Sequence, residues 1–579
     1  MKSGNKSNII YKEVVIVGNG PSGIVLSFIL SGNIPYITSD DHPDEMLSAR
    51  LSSSVGECLL QQDLEFLAQG IEGRSTNQVS LLVDSLLHPY ADMGWDLEPL
   101  LEFKRAGKKI EHIVLGKGPP GGSWHSMDPQ ILTLSLGSWM ALPGLPFHSG
   151  DSGEKRAFAC DVAKYYVQYT EQMGLTENFH NYVSVNSVEQ IEHEQPYIVE
   201  KKLRKKGYWT SRIGKELKET LEACIEREFE ENCTDEHRCW ISNAIDCLML
   251  KNRRKIRCKR PRDQDAIIIP RKNDKRRSIS FCCDTNDYNN CDSFYSTSLN
   301  ERFLRNSFSL DLKSVPSYNS AICDKETNWI VNAVDSNTGE KLTYACKYLV
   351  LANGGSDLPN RLEVSKVKKD PEWILYDLRS LEKNLDTYLA KVKEDVAPVL
   401  VIGAGLSAAD AIIAARGRNV PVIHVFRQKS PELSRHLQEN LYPEYHKVHQ
   451  MMLDGGSTHS YYTAYPEYTL SDFDAASRTV ILTSKDGVPS KLHVSFAVIL
   501  IGSRPDLSFL PEHVKLGVQK NLPLDCKTNP ADVNRLTHSV NGCENLFVIG
   551  PLAGDNFVRF LPGGAVAVTS ELYRRKYCT

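Results

Sequence analysis

The chain has 579 residues, of which 41% are hydrophobic and 24% are charged, and its formal net charge is −4 at pH 7. These values are typical of soluble globular proteins, and the length favours two or more domains. The small negative charge argues against a general nucleic-acid-binding surface, and no apolar run approaches the roughly 20 residues that a membrane-spanning helix needs.

A glycine-rich turn follows the first apolar segment of the chain. Residues 13–17 have strand composition, and Gly18-Asn-Gly20-Pro-Ser-Gly23 then opens a helix-compatible stretch. In this context the spacing is a dinucleotide fingerprint, because glycines allow a tight turn and let backbone N–H groups approach a pyrophosphate. We therefore predict that Gly18, Gly20 and Gly23 bind a dinucleotide at the N-terminus of a helix.

The group that binds the ribose at this first site is less clear from the sequence. A second strand is predicted at residues 34–37, so the acid that usually binds a ribose hydroxyl would fall near Thr38. Asp40 and Asp41 follow two or three residues later. Either the loop delivers Asp40, which is our candidate, or another group holds the ribose.

A second glycine-rich turn favours flavin at the first site. Strand-like residues 113–116 precede Gly121-Gly122-Ser-Trp124. A glycine pair followed by an aromatic residue suits backbone that passes close to a flat ring system, although an ordinary loop with a buried tryptophan is the alternative. Beside the fingerprint, we interpret Gly121, Gly122 and Trp124 as part of an FAD site.

Residues 201–320 interrupt this pattern with basic runs and a polar stretch. Dense charge with low hydrophobicity cannot bury enough apolar surface to offset the entropy of ordering, so we predict a mobile basic insertion. Its basic runs are a nuclear-import signal, an arm for a protein partner or simply solvated, and we favour the last interpretation. Cys233, His237 and Cys239 have no usual zinc-finger spacing, so we predict no metal site.

The second fingerprint lies far downstream, after the strand-like residues 398–402, and its third glycine is replaced by a small residue. The strand predicted next, residues 420–426, ends on Arg427. A cation at this place favours a 2′-phosphate over a free ribose hydroxyl, and a solvated arginine is the alternative. We therefore predict an NADPH site formed by Gly403, Gly405, Ser407, Ala408 and Arg427.

Later strand-to-glycine junctions return the chain to a dinucleotide domain, at Gly354, Gly502 and Gly550. A polar glycine turn and a helix-like stretch follow the last of them, and a helix N-terminus there would reach the ribityl or isoalloxazine end of FAD. A capped helix with no ligand is the alternative. The residues that we predict to contact FAD in these turns are Gly354, Gly554, Asp555 and Asn556.

Together these signals predict an α/β fold with two Rossmann-like dinucleotide-binding domains, in which the NADPH domain is inserted into the FAD domain. The predicted boundaries are 10–200 for the first part of the FAD domain, 201–320 for the basic insertion, 321–395 for the second part of the FAD domain, 396–490 for the NADPH domain and 491–579 for the C-terminal part of the FAD domain.

Five stretches of the chain resemble the oxidative-stress-induced growth inhibitor family of animals, which lies within the class B flavin-dependent monooxygenase-like proteins. These stretches are residues 15–23, 134–143, 401–410, 441–452 and 550–560. The resemblance covers most of residues 10–200 and 320–575. It implies an FAD- and NADPH-dependent monooxygenase that takes part in the oxidative-stress response and in the restraint of cell growth. We hypothesise that a C4a-(hydro)peroxyflavin oxygenates a small nucleophilic substrate with O₂.

No side chain can be named as catalytic from the sequence. Related monooxygenases place an asparagine just before the segment 134–140, where this chain offers Thr133, Ser135 and Ser138, and this departure leaves room for peroxide release. Histidines 436, 446 and 449 are more simply surface or core residues.

Two other classes of protein compete with the monooxygenase. A flavin disulfide reductase needs a redox-active cysteine pair, and the sequence has no Cys-x-x-Cys. A non-catalytic or weakly catalytic regulator that binds FAD, NADPH and protein partners is the stronger rival, because fold does not imply function. The polar Met1–Asn8 and the fifteen irregularly spaced cysteines predict a reducing compartment, so we expect a cytoplasmic protein, with nuclear entry through the basic runs as the alternative.

Overall fold

The computed structural model describes residues 9–147, 155–191, 327–362, 370–392, 394–429 and 437–577. The chain divides into two units, one formed by Met1–Glu189 with Trp329–Thr579 and the other by Gln190–Asn328. The second unit contains the segment 201–320. The basic runs, the cysteines and the histidine that the sequence analysis names there lie outside the described residues, as does His436.

The described chain alternates strands and helices. The strands are β1 Ile9–Val17, β2 Asn33–Ile37, β3 Leu101–Arg105, β4 His112–Gly116, β5 Leu132–Leu136, β6 Arg156–Phe158, β7 Phe179–Asn181, β8 Val183–Gln190, β9 Trp329–Asp335, β10 Lys341–Leu351, β11 Leu358–Pro359, β12 Ile374–Leu375, β13 Val399–Ile402, β14 Val422–Phe426, β15 Tyr462–Pro466, β16 Tyr468–Asp474, β17 Thr479–Ser484, β18 Pro489–His493, β19 Phe496–Ile499, β20 Ser503–Arg504 and β21 Leu546–Val548. The helices are α1 Pro21–Leu30, α2 Glu45–Leu51, α3 Leu64–Ala68, α4 Gln78–Leu87, α5 Ala159–Gln172, α6 Leu378–Leu389, α7 Leu406–Gly417, α8 Pro443–Leu453 and α9 Leu561–Tyr577. Within the described ranges, no helix combines the length and apolar composition that crossing a bilayer requires.

The first sheet is built around β1 and has the strand order β7-β4-β1-β10-β9-β8, with β21 paired to the end of β10. β1 runs parallel to β4 and β10, and β10 runs parallel to β21. Alternate side chains of β1 enter two separate cores: Val14 and Ile16 pack with α1 and α9, and Val15 and Val17 pack on the opposite face. Burial on both faces explains why this strand is a continuous apolar run.

The second sheet is parallel and has the order β12-β19-β13-β14-β15. Helices α6 and α7 pack their buried side chains into the same core. The predicted α/β fold with two dinucleotide-type sheets is therefore confirmed. The domain boundaries predicted at 395 and 490 cut through the second sheet, because β12 precedes the first boundary and β19 follows the second. Composition identified β19 as a strand but did not tell which sheet it joins.

The strand expected beside β1 is not the one that the sequence analysis chose. β2 forms close to the predicted residues 34–37, but it pairs antiparallel with β3 in a separate two-stranded sheet. The strand parallel to β1 is β4, which follows an excursion of about 80 residues after α1. The predicted strand at residues 34–37 is therefore not the neighbour of β1, and Gly116 and Lys117, rather than a residue near Thr38, stand at the end of the neighbouring strand.

Three buried histidines are expected to contribute a loss of stability as the pH drops from about 6.5 to about 4. Burial lowers the pKa of His88, His112 and His424 to about 4 each. In this window the unfolded chain binds protons that the folded chain does not, so each histidine contributes up to about 1.4 kcal/mol per pH unit. Urea unfolding across this range measures the slope, which His112→Gln should make shallower. His493→Gln changes an exposed ring and should keep the wild-type slope; equal slopes for both variants would contradict the assignment.

Candidate dinucleotide sites

The first fingerprint connects β1 to α1, and its glycines have different surroundings. Gly18 has a φ of +113°, and a Cβ there would lie 2.4 Å from the carbonyl oxygen of Ala352 at the end of β10. A Cβ at Gly23 would lie 2.1 Å from the carbonyl oxygen of Gly18. At Gly20 no atom lies within 4 Å of the Cβ position. Gly18 and Gly23 thus permit close packing, and Gly20 leaves open space.

This open space lies at the N-terminus of a ten-residue helix. Gly20 is the N-cap of α1, and no side chain caps the helix there. The N–H groups of a first helical turn have no acceptor within the helix, and the helix dipole adds partial positive charge. The position therefore fits a pyrophosphate, as the sequence predicts for this turn.

The turn Gly121–Gly122 lies directly against the first fingerprint. The Gly121 amide donates a hydrogen bond of 2.8 Å to the Asn19 carbonyl, and a Cβ at Gly122 would lie 3.1 Å from Gly20 Cα. Both glycines have positive φ, +120° and +59°. The structure therefore brings these two glycine turns together. The Trp124 ring lies 6.4 Å from that of Tyr166 on α5 and lines a cavity of about 400 Å³.

The end of β4 replaces the usual acidic ribose ligand with a glycine and a lysine. A Cβ at Gly116 would lie 2.0 Å from Cγ of Asn19, so this position excludes a side chain. Lys117 Nζ lies 3.2 Å from Asp357 and 3.7 Å from Asp506. Binding of ribose by Asp40, whose loop follows β2, stays a prediction.

Asn353 is a residue that the sequence analysis passed over. It follows β10, and its Cα would lie 2.6 Å from a Cβ at Gly18. Its Oδ1 atom is buried and accepts no hydrogen bond from the protein. A buried amide oxygen without a donor usually has a partner in water or a ligand, so this atom fits a hydrogen-bond donor of a bound cofactor. The next residue, Gly354, has open space at its Cβ position and a φ of +73°.

The C-terminal glycine turn lies against α1 and α4. A Cβ at Gly550 would lie 2.1 Å from Ser22 Oγ of α1, so this turn reaches the first fingerprint. Gly554 has a φ of +94° and open space out to 3.7 Å. Asn556 is exposed, and its amide donates to the carbonyls of Cys526 and Gly554 at 3.1 and 3.0 Å.

Asp555 holds this turn to the segment before α4. Its buried carboxylate accepts hydrogen bonds from Ser75 Oγ at 2.5 Å, Asn77 Nδ2 at 3.0 Å and Ser80 Oγ at 2.9 Å. Burial raises the pKa of the Asp555 carboxyl, and His538 opposes the rise. Both carboxylate oxygens thus have partners within the protein, which gives Asp555 a role in positioning the turn; direct contact with FAD stays a prediction.

The second fingerprint repeats the geometry of the first. Gly403 has a φ of +136°, and a Cβ there would lie 2.2 Å from the Leu500 carbonyl oxygen. Gly405 caps α7 with no atom within 4 Å of its Cβ position and no side-chain cap. Ala408 is buried at the third fingerprint position, and Ser407 is exposed beside it. A second helix N-terminus is therefore open to a pyrophosphate.

Arg427 and His424 belong to the strand beside this fingerprint. Arg427 is exposed directly after β14, which runs parallel to β13, so it stands where the NADPH prediction requires a cation. His424 is buried; its Nε2 lies 2.6 Å from the Gly403 carbonyl, and its Nδ1 lies 2.8 Å from the Tyr462 hydroxyl. The neutral ring therefore donates to the fingerprint turn and accepts from the tyrosine, a role that no sequence pattern signalled.

Comparisons with known proteins agree with the resemblance described above. No family model matches the chain. Human oxidative stress-induced growth inhibitor 2 is 33% identical over 97% of this chain and 93% of its own length, and human oxidative stress-induced growth inhibitor 1 is 33% identical over 97% and 95%. Among solved structures, bacillithiol disulfide reductase from Bacillus cereus is similar with a TM-score of 0.49 and 12% identity, covering 98% of this chain and all of that one. Because both human relatives are 33% identical over 97% of the chain, the chain belongs to the oxidative stress-induced growth inhibitor family.

Proposed function

We propose that this protein is an FAD- and NADPH-dependent monooxygenase that oxygenates a small nucleophilic substrate and takes part in growth restraint under oxidative stress. The physiological part is taken from the names of the relatives. The observation that carries the biochemical part is the pair of open helix N-termini. Gly20 and Gly405 each begin a helix, and apart from their chain neighbours no protein atom lies within 4 Å of the Cβ position, so each helix N-terminus is open where a pyrophosphate would bind.

The first of these sites is proposed for FAD. The N-terminus of α1 would bind the pyrophosphate, and the Gly121–Gly122 turn would form the opposite wall. Asn353 Oδ1 would accept a hydrogen bond from the cofactor. When bound, the flavin would supply the redox and oxygen-activating chemistry, while the protein orients it and excludes water.

The second site is proposed for NADPH. The N-terminus of α7 would bind the pyrophosphate, with Ser407 and Ala408 in its first turn. Arg427 would form charge-assisted hydrogen bonds with the 2′-phosphate, which its planar guanidinium can bind through two N–H groups. An NADH ribose offers no such charge, so the same arginine would set the preference between the two nicotinamides.

A regulator that binds FAD and NADPH with little or no turnover is the second candidate function. Gly116 favours it, because this residue stands where dinucleotide folds usually have the acid that binds a ribose. Thr133, near the expected oxygenation site, also has its partner within the protein: its hydroxyl donates to the Ser135 carbonyl at 2.6 Å.

Spectra and oxygen uptake distinguish the two candidates. The purified full-length protein is expected to carry the visible absorbance of bound flavin, and NADPH should bleach it and drive oxygen uptake above the rate seen with NADH. Bound flavin that NADPH does not reduce would favour the regulator. Protein that binds no flavin, even when FAD is supplied, would contradict both candidates.

Arg427→Ala should remove the preference for NADPH. Loss of the phosphate contact is expected to raise the KM for NADPH about tenfold or more and to leave the KM for NADH nearly unchanged. Arg418→Ala is the matched control, because Arg418 lies just past the other end of α7 and bonds Glu382 and Asp386. A variant at 427 that still discriminates like wild type would refute this assignment.

A further inference from the structure

Arg156 of β6 is a buried cation in the part of the chain proposed to bind FAD. Its side chain is 8% exposed. Its Nε donates a hydrogen bond of 2.6 Å to the Thr133 carbonyl. Thr133 lies on β5, between the two residues of that strand, Leu132 and Leu136, that pair with β6. β5 continues into the 3₁₀ turn Gly137–Met140, and the ring centroid of Trp139 in this turn lies 4.6 Å from the central carbon of Arg559, in the 3₁₀ turn Val558–Phe560.

Apart from a hydrogen bond of 3.5 Å from Nη2 to the Leu132 carbonyl, the other contacts of this guanidinium are made with the part proposed to bind NADPH. Its Nη1 lies 2.5 Å from Glu444 Oε1 and donates to the Leu441 carbonyl at 3.2 Å. Its central carbon lies 4.7 Å from the ring centroid of Tyr442 and 5.7 Å from that of Tyr445. A planar guanidinium can bond a carboxylate and contact aromatic rings at the same time, which an ammonium cannot do equally well.

Two tyrosine hydroxyls make further hydrogen bonds, one to the FAD part and one within the NADPH part. The Tyr442 hydroxyl donates to the Leu134 carbonyl of β5, so it crosses back to the FAD part. The Tyr445 hydroxyl donates to Asp410 Oδ1 at 3.0 Å, and Asp410 lies on α7, the helix that begins at the second fingerprint. We name Arg156, Tyr442, Glu444 and Tyr445 the Arg156 clasp.

We propose that Arg156 is a positioning residue: the Arg156 clasp holds the NADPH-binding part in the placement that lets a nicotinamide meet the flavin. This inference rests on the proposed function. The clasp joins strands β5 and β6 to α7, the helix whose N-terminus is the proposed NADPH site, and β5 leads into the turn that contacts Arg559, three residues after Asn556. Reacting groups placed about 1 Å wrongly can lose about a hundredfold in rate, so such a fixed contact has kinetic consequences.

Hydrogen exchange of the full-length protein tests the contact itself. Arg156→Ala should speed amide exchange about tenfold in two segments that are distant in sequence, 132–136 and 443–453. Arg478→Ala is the matched control, because Arg478 also bonds a carbonyl, that of Ser495 at 2.9 Å, and lies over a ring, that of Phe496 at 5.6 Å, within the second part alone. Faster exchange in 132–136 without any change in 443–453 would overturn the clasp.

Stopped-flow reduction of the flavin tests the positioning role. In this step one hydride leaves NADPH, giving NADP⁺, and its two electrons reduce the flavin. Arg156→Ala is expected to slow the step about tenfold or more at saturating NADPH, with flavin content and the Kd for NADPH kept near wild type. Arg156→Lys should recover only part of the rate, and Tyr442→Phe, which loses one hydroxyl, should have a smaller effect.

The outcomes separate the two proposals. A wild-type reduction rate in Arg156→Ala, together with loosened exchange, would overturn the positioning role and leave the proposed function intact. A wild-type protein that takes up no flavin would overturn both. If Arg156→Ala does not fold, the same two measurements are made on Tyr442→Phe and Glu444→Gln. Wild-type amide exchange and a wild-type rate of flavin reduction in both variants would overturn the inference.

Discussion

Gly20→Val is expected to abolish flavin binding and to leave the apo-protein folded. Gly20 has a φ of −72° and a ψ of 179°, an extended conformation that valine adopts easily, and no protein atom lies within 4 Å of the new Cβ. The loss of a good N-cap residue costs only about 1 kcal/mol. The branched side chain would fill the space in which a pyrophosphate approaches the helix, so we expect the Kd for FAD to rise by about a hundredfold or more.

The matched control for this variant is Gly18→Val. Its Cβ would lie 2.4 Å from the Ala352 carbonyl oxygen at a φ of +113°, so this variant should lose the fold itself. Thermal unfolding of the two apo-proteins, followed by FAD titration, separates the roles. Comparing the apo-proteins is essential because bound cofactor raises the apparent stability. A Gly20→Val protein with wild-type flavin content would contradict the assignment of the first site.

Gly405→Val applies the same reasoning to the second site. It should keep the flavin spectrum, and dithionite should still reduce that flavin. Reduction by NADPH should be lost, because the valine would fill the space at the N-terminus of α7. Loss of flavin in this variant would contradict the assignment of FAD to the first fingerprint and NADPH to the second.

The two fingerprints could be predicted from sequence because a tight turn between a strand and a helix leaves its whole signal within a few residues. Gly18 and Gly403 require positive φ, and Gly20 and Gly405 need space, whatever the rest of the chain does. The residue at the end of the strand beside β1 could not be assigned from the sequence, because that assignment needed the identity of the neighbouring strand. That strand, β4, arrives only after an excursion with its own two-stranded sheet, and no local pattern records which strand pairs with β1.

Other features of the site depend on contacts between residues far apart in sequence. Asp555 looked like a ligand in a polar turn, and its neighbours Ser75 and Ser80 lie more than 470 residues away. His424 looked like one more strand residue, because nothing local reveals that its ring reaches the Gly403 carbonyl. The hydrogen-bond partners of a buried polar group decide its role. Because these partners come from distant parts of the chain, a single sequence does not reveal them.

A second large effect is expected from Arg559→Ala, which should lower the free energy of unfolding by about 3–5 kcal/mol. The Arg559 side chain is 4% exposed; its Nε lies 3.3 Å from Asp84 Oδ1, and its Nη2 lies 2.5 Å from Asp92 Oδ2. Its central carbon also lies 4.6 Å from the ring centroid of Trp139. Alanine would leave Asp84 buried without its cation and the tryptophan ring without its contact.

Arg574→Ala and a double variant serve as controls for this prediction. Arg574 lies on α9 with its side chain 69% exposed beside Glu571, so its loss should change stability by less than about 0.5 kcal/mol. The double variant Asp84→Leu/Arg559→Met replaces the buried pair with apolar groups and should recover most of the loss, because a buried ion pair contributes little beyond the desolvation of its charges. Urea unfolding measures all of these variants.

The pH dependence shows whether the uncompensated charge on Asp84 causes the loss. Burial raises the pKa of Asp84 to about 7 even with Arg559 in place, and the arginine opposes that rise. Without the arginine the folded protein binds this proton more tightly, whereas the unfolded chain releases it near the ordinary pKa of about 3.9. Below about pH 7 this carboxyl is protonated in both folded proteins, so the part of the deficit that its charge causes should stay constant there and should grow as the pH rises above about 7, where the wild type releases the proton first. A deficit that does not grow between about pH 7 and pH 9 would mean that lost packing against Trp139, rather than the charge of Asp84, accounts for the effect.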